Sequence, residues 1–360
     1  MEKLNPDMIV LAREYRGLTQ EELGKLIGAS QATIAKIEGG VKSASLEQTA
    51  LLVDKLQFPI DFFTQNEELL GFGSSAYFYR KKATISSIER KKIQSIVNIL
   101  RINLKFFLKS IDIEASRKLP LYDLAEDFNG SATLAAMSLR SYWNLPDGPI
   151  KNLTQLIEST GAIVVPVNFG MRSIDATSIR LNELSPIIFI NDNLTGDRWR
   201  FTLAHELAHL VLHQIPSETM EEEADEFASE FLLPSSELKP HFTRIGKVRL
   251  QDLFVLKAYW KVSAQALLMK AVSVGSIDKS ESQYIWRQIA SRGYKTSEHH
   301  PLPKEDITTY KDMLNFFESE LNFSKNEIAE AIHLNPMEVE VLHGVSGAWG
   351  SRQSHLRIVS

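Results

Sequence analysis

Three side chains able to do chemistry fall within five residues. His205, Glu206 and His209 spell His-Glu-x-x-His inside Arg200-Phe-Thr-Leu-Ala-His-Glu-Leu-Ala-His209. Residues four apart on a helix stand one above the other, so both imidazoles can reach one ion. Two neutral imidazoles and a carboxylate suit zinc, with a fourth position left for water. Glu206 follows the first imidazole and can take a proton from that water. The spacing therefore predicts one Zn2+ per chain, with His205 and His209 as metal ligands and Glu206 as the general base.

A third ligand must come from elsewhere. His213 continues the four-residue spacing, but about 12 Å of helix rise separates it from His205, so one ion cannot be held by both. It reads as a helix-face histidine that can support the site without ligating. The acidic run Glu218–Glu230 is the better source. Its apolar residues Ala224, Phe227, Ala228, Phe231 and Leu232 recur at helical spacing, predicting a second helix packed on the first. A carboxylate bordering that apolar face can point inward. Glu223 fits best, with Glu222 and Glu226 left open. No Lys or Arg occurs from Phe201 to Leu238, so no cation competes with a metal there.

The flanking sequence supplies elements to hold this pair. Ala132–Trp143 and Leu153–Ser159 have helical patterns. Ala162–Val167, Ala176–Leu181 and Pro186–Asn191 are short apolar runs that read as strands, the last two joined by Asn182-Glu-Leu-Ser185 as a hairpin. A sheet beside the metal helix could bind an extended peptide along an edge strand. Arg198 and Arg200 lead into the metal helix and read as structural or solvated. Val248–Tyr259 and Ser263–Ala271 continue as helices.

The first 66 residues have a different rhythm. Pro6–Arg16 is helical and stops at Gly17. Thr19-Gln-Glu-Glu22 is a capping box whose helix runs to Ile27 and stops at Gly28. Ser30 caps Gln31–Glu38, which ends in Gly39-Gly40; Leu46–Leu56 and Pro59–Phe63 follow. Two short helices joined by Gly28-Ala29 have helix-turn-helix geometry. Leu23, Leu26, Ile27, Ile34 and Ile37 point inward; Gln31, Ala32, Thr33 and Lys36 point outward. Seven Lys and Arg face nine acidic residues here, so the segment brings few cations to a nucleic acid. Weak single-domain binding is expected, strengthened by a homodimer or by a second basic surface.

Such a surface is available. Gly71–Ser75 reads as a linker, and from Arg80 to Pro120 eleven Lys and Arg outnumber three acidic residues. Ile93, Ile96, Val97, Leu100, Leu104, Phe107 and Ile111 form a helical stripe, so these charges ride on an amphipathic helix. At the other end, Phe323–His343 has the rhythm of another helix-turn-helix, but an acidic one suited to a partner rather than to DNA. His299 and His300 read as solvated loop residues, and the tail from Gly344 as mobile.

Composition narrows the class. At 360 residues the chain needs more than one domain. It has no cysteine, which excludes disulfides and thiolate metal sites. Neither a signal peptide nor a membrane-spanning run is evident, so a cytoplasmic protein with no membrane partner is expected.

Two resemblances follow from these motifs. The run from Arg200 to His209, with Glu223-Ala-Asp-Glu-Phe-Ala-Ser-Glu-Phe-Leu-Leu-Pro234 and the lead-in Trp143–Ile150, resembles the ImmA/IrrE family of metallo-endopeptidases over roughly 135–275. It implies a zincin-like fold in which His205, His209 and Glu223 hold zinc and Glu206 is the base. Asp225 stands where that family often has Asn, adding charge near the site. Leu18–Gly28 and Ile34–Gly40 resemble the phage-repressor-like, Xre-type DNA-binding family over nearly all of 5–63. That resemblance implies DNA contacts from Gln20, Gln31, Thr33 and Lys36.

The expected fold is multidomain and mainly α. It comprises an all-α helix-turn-helix domain (1–66), a linker with a basic helix (67–120), an α+β zincin-like peptidase domain with a small sheet (121–275) and a helical, partner-binding C-terminal region (276–360). The expected function is a DNA-binding regulator whose zinc endopeptidase cleaves a repressor- or antitoxin-like protein. The rival expectations are a regulator whose zinc domain is a sensor or scaffold without turnover, and a protein-interaction module that does not touch DNA.

Overall fold

A computed structural model of the chain describes residues 3–71, 86–170, 174–181, 184–295, 298–344 and 356–358. Most of the Gly71–Ser75 linker, Asn182-Glu183 of the hairpin loop and most of the tail beyond Gly344 lie outside the described residues. The fold is mainly helical, with a small mixed sheet.

In chain order the elements are α1 (Pro6–Tyr15), α2 (Gln20–Leu26), α3 (Gln31–Glu38), α4 (Leu46–Leu56), a 3-10 turn (Ile60–Thr64), α5 (Ser87–Phe107) and β1 (Ile111–Ile113). Then come α6 (Leu124–Phe128), α7 (Ala132–Tyr142), α8 (Leu153–Glu158), β2 (Ile163–Val167), β3 (Ala176–Leu181) and β4 (Leu184–Asn191). The metal-motif helix is α9 (Gly196–Leu212), followed by α10 (Met220–Leu232), α11 (Ser235–Ile245), α12 (Leu250–Trp260), α13 (Ala264–Ser273) and α14 (Lys279–Ser291). The chain closes with α15 (Thr309–Ser319), α16 (Lys325–Ala331), α17 (Pro336–His343) and β5 (Leu356–Ile358).

The chain groups into two compact units. The first joins 1–114, 167–173 and 309–360. Its N-terminal helices start where local chemistry predicts. Asn5 caps α1 ahead of Pro6, Thr19 and Glu22 close a capping box on α2, and Ser30 caps α3. The turn after α2 is tight: a Cβ on Gly24 would stand 2.6 Å from the Ala29 carbonyl oxygen, so only glycine lets the turn fold back. The Phe58 and Phe62 rings stack at 4.1 Å beneath α4. The stripe Ile93, Ile96, Val97, Leu100, Leu104 and Phe107 buries α5, which packs on α1.

The C-terminal helices belong to this same unit. Glu338 of α17 accepts a hydrogen bond from the Tyr15 hydroxyl at 2.5 Å and pairs with Arg16 at 2.6 Å. This acidic region, expected to bind a partner, thus also contacts the chain's own α1. Of the tail expected to be mobile, Leu356–Ile358 forms β5, antiparallel to β1 with Asp112 opposite Arg357.

The second unit joins 115–166 and 174–308. Its three strands run in the order β2-β4-β3, with β3 antiparallel to β4 and Ser178 opposite Ile188. Helix α9 packs on β3, β4 and α10, and α10 packs on α7. Leu203, Leu207, Phe227 and Phe231 are fully buried in these contacts, each worth roughly 1.5–3 kcal/mol of transfer free energy. The Arg140 guanidinium donates to the carbonyls of Phe231, Pro146 and Gly148, tying α7 and its following loop to the end of α10.

The segment 298–308 lies across this unit and is held by buried ions. Glu298 meets Lys257, Glu305 meets Arg200, and Glu158 accepts from Thr308. His299 and His300 are exposed, as expected. Among the described residues no helix is long and apolar enough to cross a membrane.

Candidate metal centre and DNA-facing surface

Helix α9 carries the motif through the middle of its unit. It starts after Thr195, whose hydroxyl donates to Asp197 at 2.6 Å. It is buried on nearly every side. Arg200 is 2% exposed against Glu305 and the Ile150 carbonyl, so this arginine is structural.

The imidazoles of His205 and His209 face each other with their Nε2 atoms 3.1 Å apart. A Glu221 carboxylate oxygen lies 3.2 Å from His205 Nε2, and the other lies 3.5 Å from His209 Nε2. Ligand atoms of these three residues all fall within 4.8 Å of one another. Two imidazole nitrogens and one carboxylate oxygen gathered this closely match a donor set that zinc accepts. Glu206 is 4% exposed, and its Oε2 has no hydrogen-bond partner. A buried, unpartnered carboxylate oxygen beside that donor set fits a site completed by a metal and its water.

The outer contacts give each imidazole a direction. His205 Nδ1 lies 2.8 Å from Asp225, and His209 Nδ1 lies 2.8 Å from His213 Nδ1. His213 Nε2 in turn lies 3.0 Å from Glu223, which accepts from Thr219 at 2.7 Å. If Nδ1 of each motif histidine donates outward, Nε2 keeps its lone pair for the ion.

Charge differs between the two imidazoles, and an ion at His205 Nε2 would have to displace a proton from it. Burial works against a proton on His205, yet Asp225 and Glu221 push its pKa up to about 10. Burial, with His205 and His213 nearby, holds His209 well below the usual histidine value. Burial pushes Glu206 up to about 7, with His205 and Ser178 pulling the other way. A carboxyl poised near neutrality can both accept and return a proton.

The sequence placed His205, Glu206 and His209 here, and the fold brings them together. Glu223, expected as the third ligand, is instead on His213, and Glu221 is the carboxylate beside the two imidazoles. Glu222 is exposed, and Glu226 accepts from Thr133. The reason is rotational. At 3.6 residues per turn, Glu221 and Glu223 flank the Ala224–Phe227–Phe231 stripe on opposite sides. Periodicity cannot say which side faces the motif. The pair Glu221 and Asp225, one turn apart and both on His205, was the available signal.

In the first unit, the outward residues of α2 and α3 form a polar chain. Gln31 donates to Gln20 at 3.0 Å, Gln20 donates to Glu38 at 2.8 Å, and Glu38 holds buried Arg13 at 2.6 Å. Glu38 and Arg13, which the pattern did not single out, thereby fix the two glutamines. Thr33 shares a hydrogen bond with Ser30 at the α3 cap, and Lys36 is exposed on the outer face. Glutamine amides held in this way can address base edges, and an exposed ammonium can meet phosphate.

Comparison with known families agrees with both regions. Residues 166–271 match the Peptidase M78 model, described as an IrrE N-terminal-like domain. Residues 11–61 match a model described as a helix-turn-helix domain. No curated protein matches the chain. The chain carries an N-terminal helix-turn-helix domain of the DNA-binding kind and an IrrE-like domain of the M78 peptidase kind.

Proposed function

We propose that the chain is a DNA-binding regulator whose M78-type domain is a zinc-dependent endopeptidase acting on a regulatory protein of the repressor or antitoxin type. The observation that carries the reading is the convergence of His205 Nε2, His209 Nε2 and the Glu221 carboxylate beside the unpartnered oxygen of Glu206.

His205, His209 and Glu221 would hold the ion. Bound zinc supplies Lewis acidity, lowering the pKa of its water toward 7 and polarising a carbonyl. Glu206 takes the proton of the attacking water and returns it to the departing amine, a role suited to its raised pKa. The burial of Glu206 strengthens that exchange. β3 is an edge of the sheet and meets α9, and Ser178 within it hydrogen-bonds Glu206. An extended peptide paired to that edge would run past the catalytic carboxylate.

The test is elemental analysis with a turnover assay. Wild type should hold about one zinc, Glu221→Gln should lose it, and Glu206→Gln should keep it. Incubation with a mixed peptide library, read by mass spectrometry, should give products with wild type and essentially none with Glu206→Gln. Zinc in both proteins with no products from either would favour the sensor or scaffold reading.

A further inference from the structure

The helix-turn-helix segment is short of cations where DNA would lie. Of its seven Lys and Arg, Arg13 is paired with Glu38, Arg16 with Glu338, Lys25 with Glu21 and Lys55 with Asp54. Among the described residues, that leaves Lys3, Lys36 and Lys42 to meet phosphate. A duplex carries one negative charge per ~1.7 Å of axis, and affinity depends on how many are neutralised.

The first turns of α5 reach the same surface. Ile88 and Lys91 line one cleft with Thr19, Gln20 and Gln31. Lys92 runs past Gly17, where an added Cβ would stand 3.9 Å from its Cδ. Lys91 pairs with Glu14 at 2.9 Å while its side chain stays 55% exposed, and Lys92 is exposed. The acidic groups nearby are already occupied. Glu14 also meets Arg13, Glu21 meets Lys25, and Glu89 accepts from the Ser86 backbone at the α5 cap. Helix α5 lies outside the 11–61 match to the helix-turn-helix model.

We propose that α5 extends the DNA-binding face, with Lys91 and Lys92 contacting the duplex backbone alongside Gln20 and Gln31. This rests on the DNA-binding reading of the N-terminal domain. Lysine ammoniums are compact point charges that position a protein on phosphates without reading sequence. The partner is therefore duplex DNA of any sequence. When Lys91 exchanges Glu14 for a phosphate, Glu14 still keeps Arg13.

The experiment is fluorescence anisotropy of the full chain on a mixed-sequence duplex, titrated between about 50 and 200 mM salt. Lys91→Ala/Lys92→Ala should bind more weakly and reduce the slope of log affinity against log salt by about 2, near 0.9 per lost phosphate contact. Lys239→Ala/Lys247→Ala, the same charge change on exposed lysines of the other unit, should leave the slope unchanged. Wild-type binding with a slope unaltered in the Lys91/Lys92 variant overturns the role of α5 and leaves DNA binding standing. An equal drop in both variants reduces the effect to net charge and likewise overturns it. No salt-dependent binding by wild type removes the DNA reading and this inference together. An unchanged melting temperature in the Lys91/Lys92 variant shows that loss of binding is not loss of fold.

Discussion

His213 Nδ1 lies 2.8 Å from His209 Nδ1, and its Nε2 lies 3.0 Å from Glu223. One tautomer assignment satisfies the whole chain. His209 donates from Nδ1 to His213, His213 donates from Nε2 to Glu223, and Thr219 donates to the second oxygen of Glu223. That leaves His209 Nε2 as an acceptor pointing at Glu221 and His205. His213→Phe removes the acceptor without adding charge. Zinc affinity should fall about 10–100-fold, the range for loss of an outer partner of a ligand. Competition with a chelator measures it. Glu223→Gln should weaken affinity within that range and keep full occupancy in excess zinc. Complete loss of zinc in Glu223→Gln, matching Glu221→Gln, would return Glu223 to the metal.

Much of this was legible before the fold. The caps Thr19 and Ser30 mark their helices because each satisfies a backbone amide locally, within three residues. The motif His205-Glu-x-x-His209 is equally local, since one helix turn sets its geometry. Which carboxylate sits beside the imidazoles was not, because whether Glu221 or Glu223 reaches them depends on how α10 is rotated against α9. The union of α17 with α1 was also hidden. Glu338 and Tyr15 lie 323 positions apart, and a helix pattern says nothing of such a partner. Asp225 stood out in the sequence as an added charge, and its place on His205 Nδ1 gives that charge a task.

His343 supplies a prediction on pH. It is fully buried, with Nε2 2.9 Å from the Asn103 amide nitrogen and Nδ1 2.6 Å from the Tyr310 hydroxyl. The amide donates to Nε2, so Nδ1–H donates to Tyr310, and the neutral ring satisfies both contacts. Burial pushes its pKa from 6.5 down to about 3. Between those values the unfolded chain binds a proton that the folded chain refuses. This contribution is therefore complete above about pH 6.5 and is lost as pH falls, at up to about 1.4 kcal/mol per pH unit. Urea unfolding at pH 7.5 and 5.5 should show wild type losing roughly 1 kcal/mol more than His343→Asn over that interval. Equal losses in the two proteins would mean that His343 does not drive the acid sensitivity.

Lys257 is a buried cation between two buried carboxylates. Its ammonium lies 2.8 Å from Asp197 at the start of α9 and 2.8 Å from Glu298. Its side chain is 1% exposed. Glu298 also accepts from the backbone amides of Ala264 and Gln265, so the lysine joins α9, α12, α13 and the 298–308 segment. Lys257→Met leaves both carboxylates without their cation, and stability should fall by about 3–5 kcal/mol. Adding Glu298→Gln removes one stranded charge and should recover part of that loss. A double variant no better than the single one would show that the lost packing of the lysine stem, rather than charge, sets the cost.

Gly196 opens α9 directly beneath the 298–308 segment. A Cβ built there would collide with the carbonyl oxygens of Leu302 and Pro303, both backbone atoms that no rotamer change can clear. Gly196 does not need a left-handed conformation, so the requirement is for space alone. Gly196→Ala should favour the helix locally by up to ~1 kcal/mol and cost about 1–3 kcal/mol through the displaced segment. The net effect should be destabilising. The displacement should also loosen Glu305, whose carboxylate holds Arg200 and the Thr154 amide and hydroxyl. Hydrogen exchange at the Thr154 amide reports on that coupling. Faster exchange there in Gly196→Ala, with zinc content unchanged, is the expected result. A variant as stable as wild type with unaltered exchange at Thr154 would show that the segment is not pressed on α9.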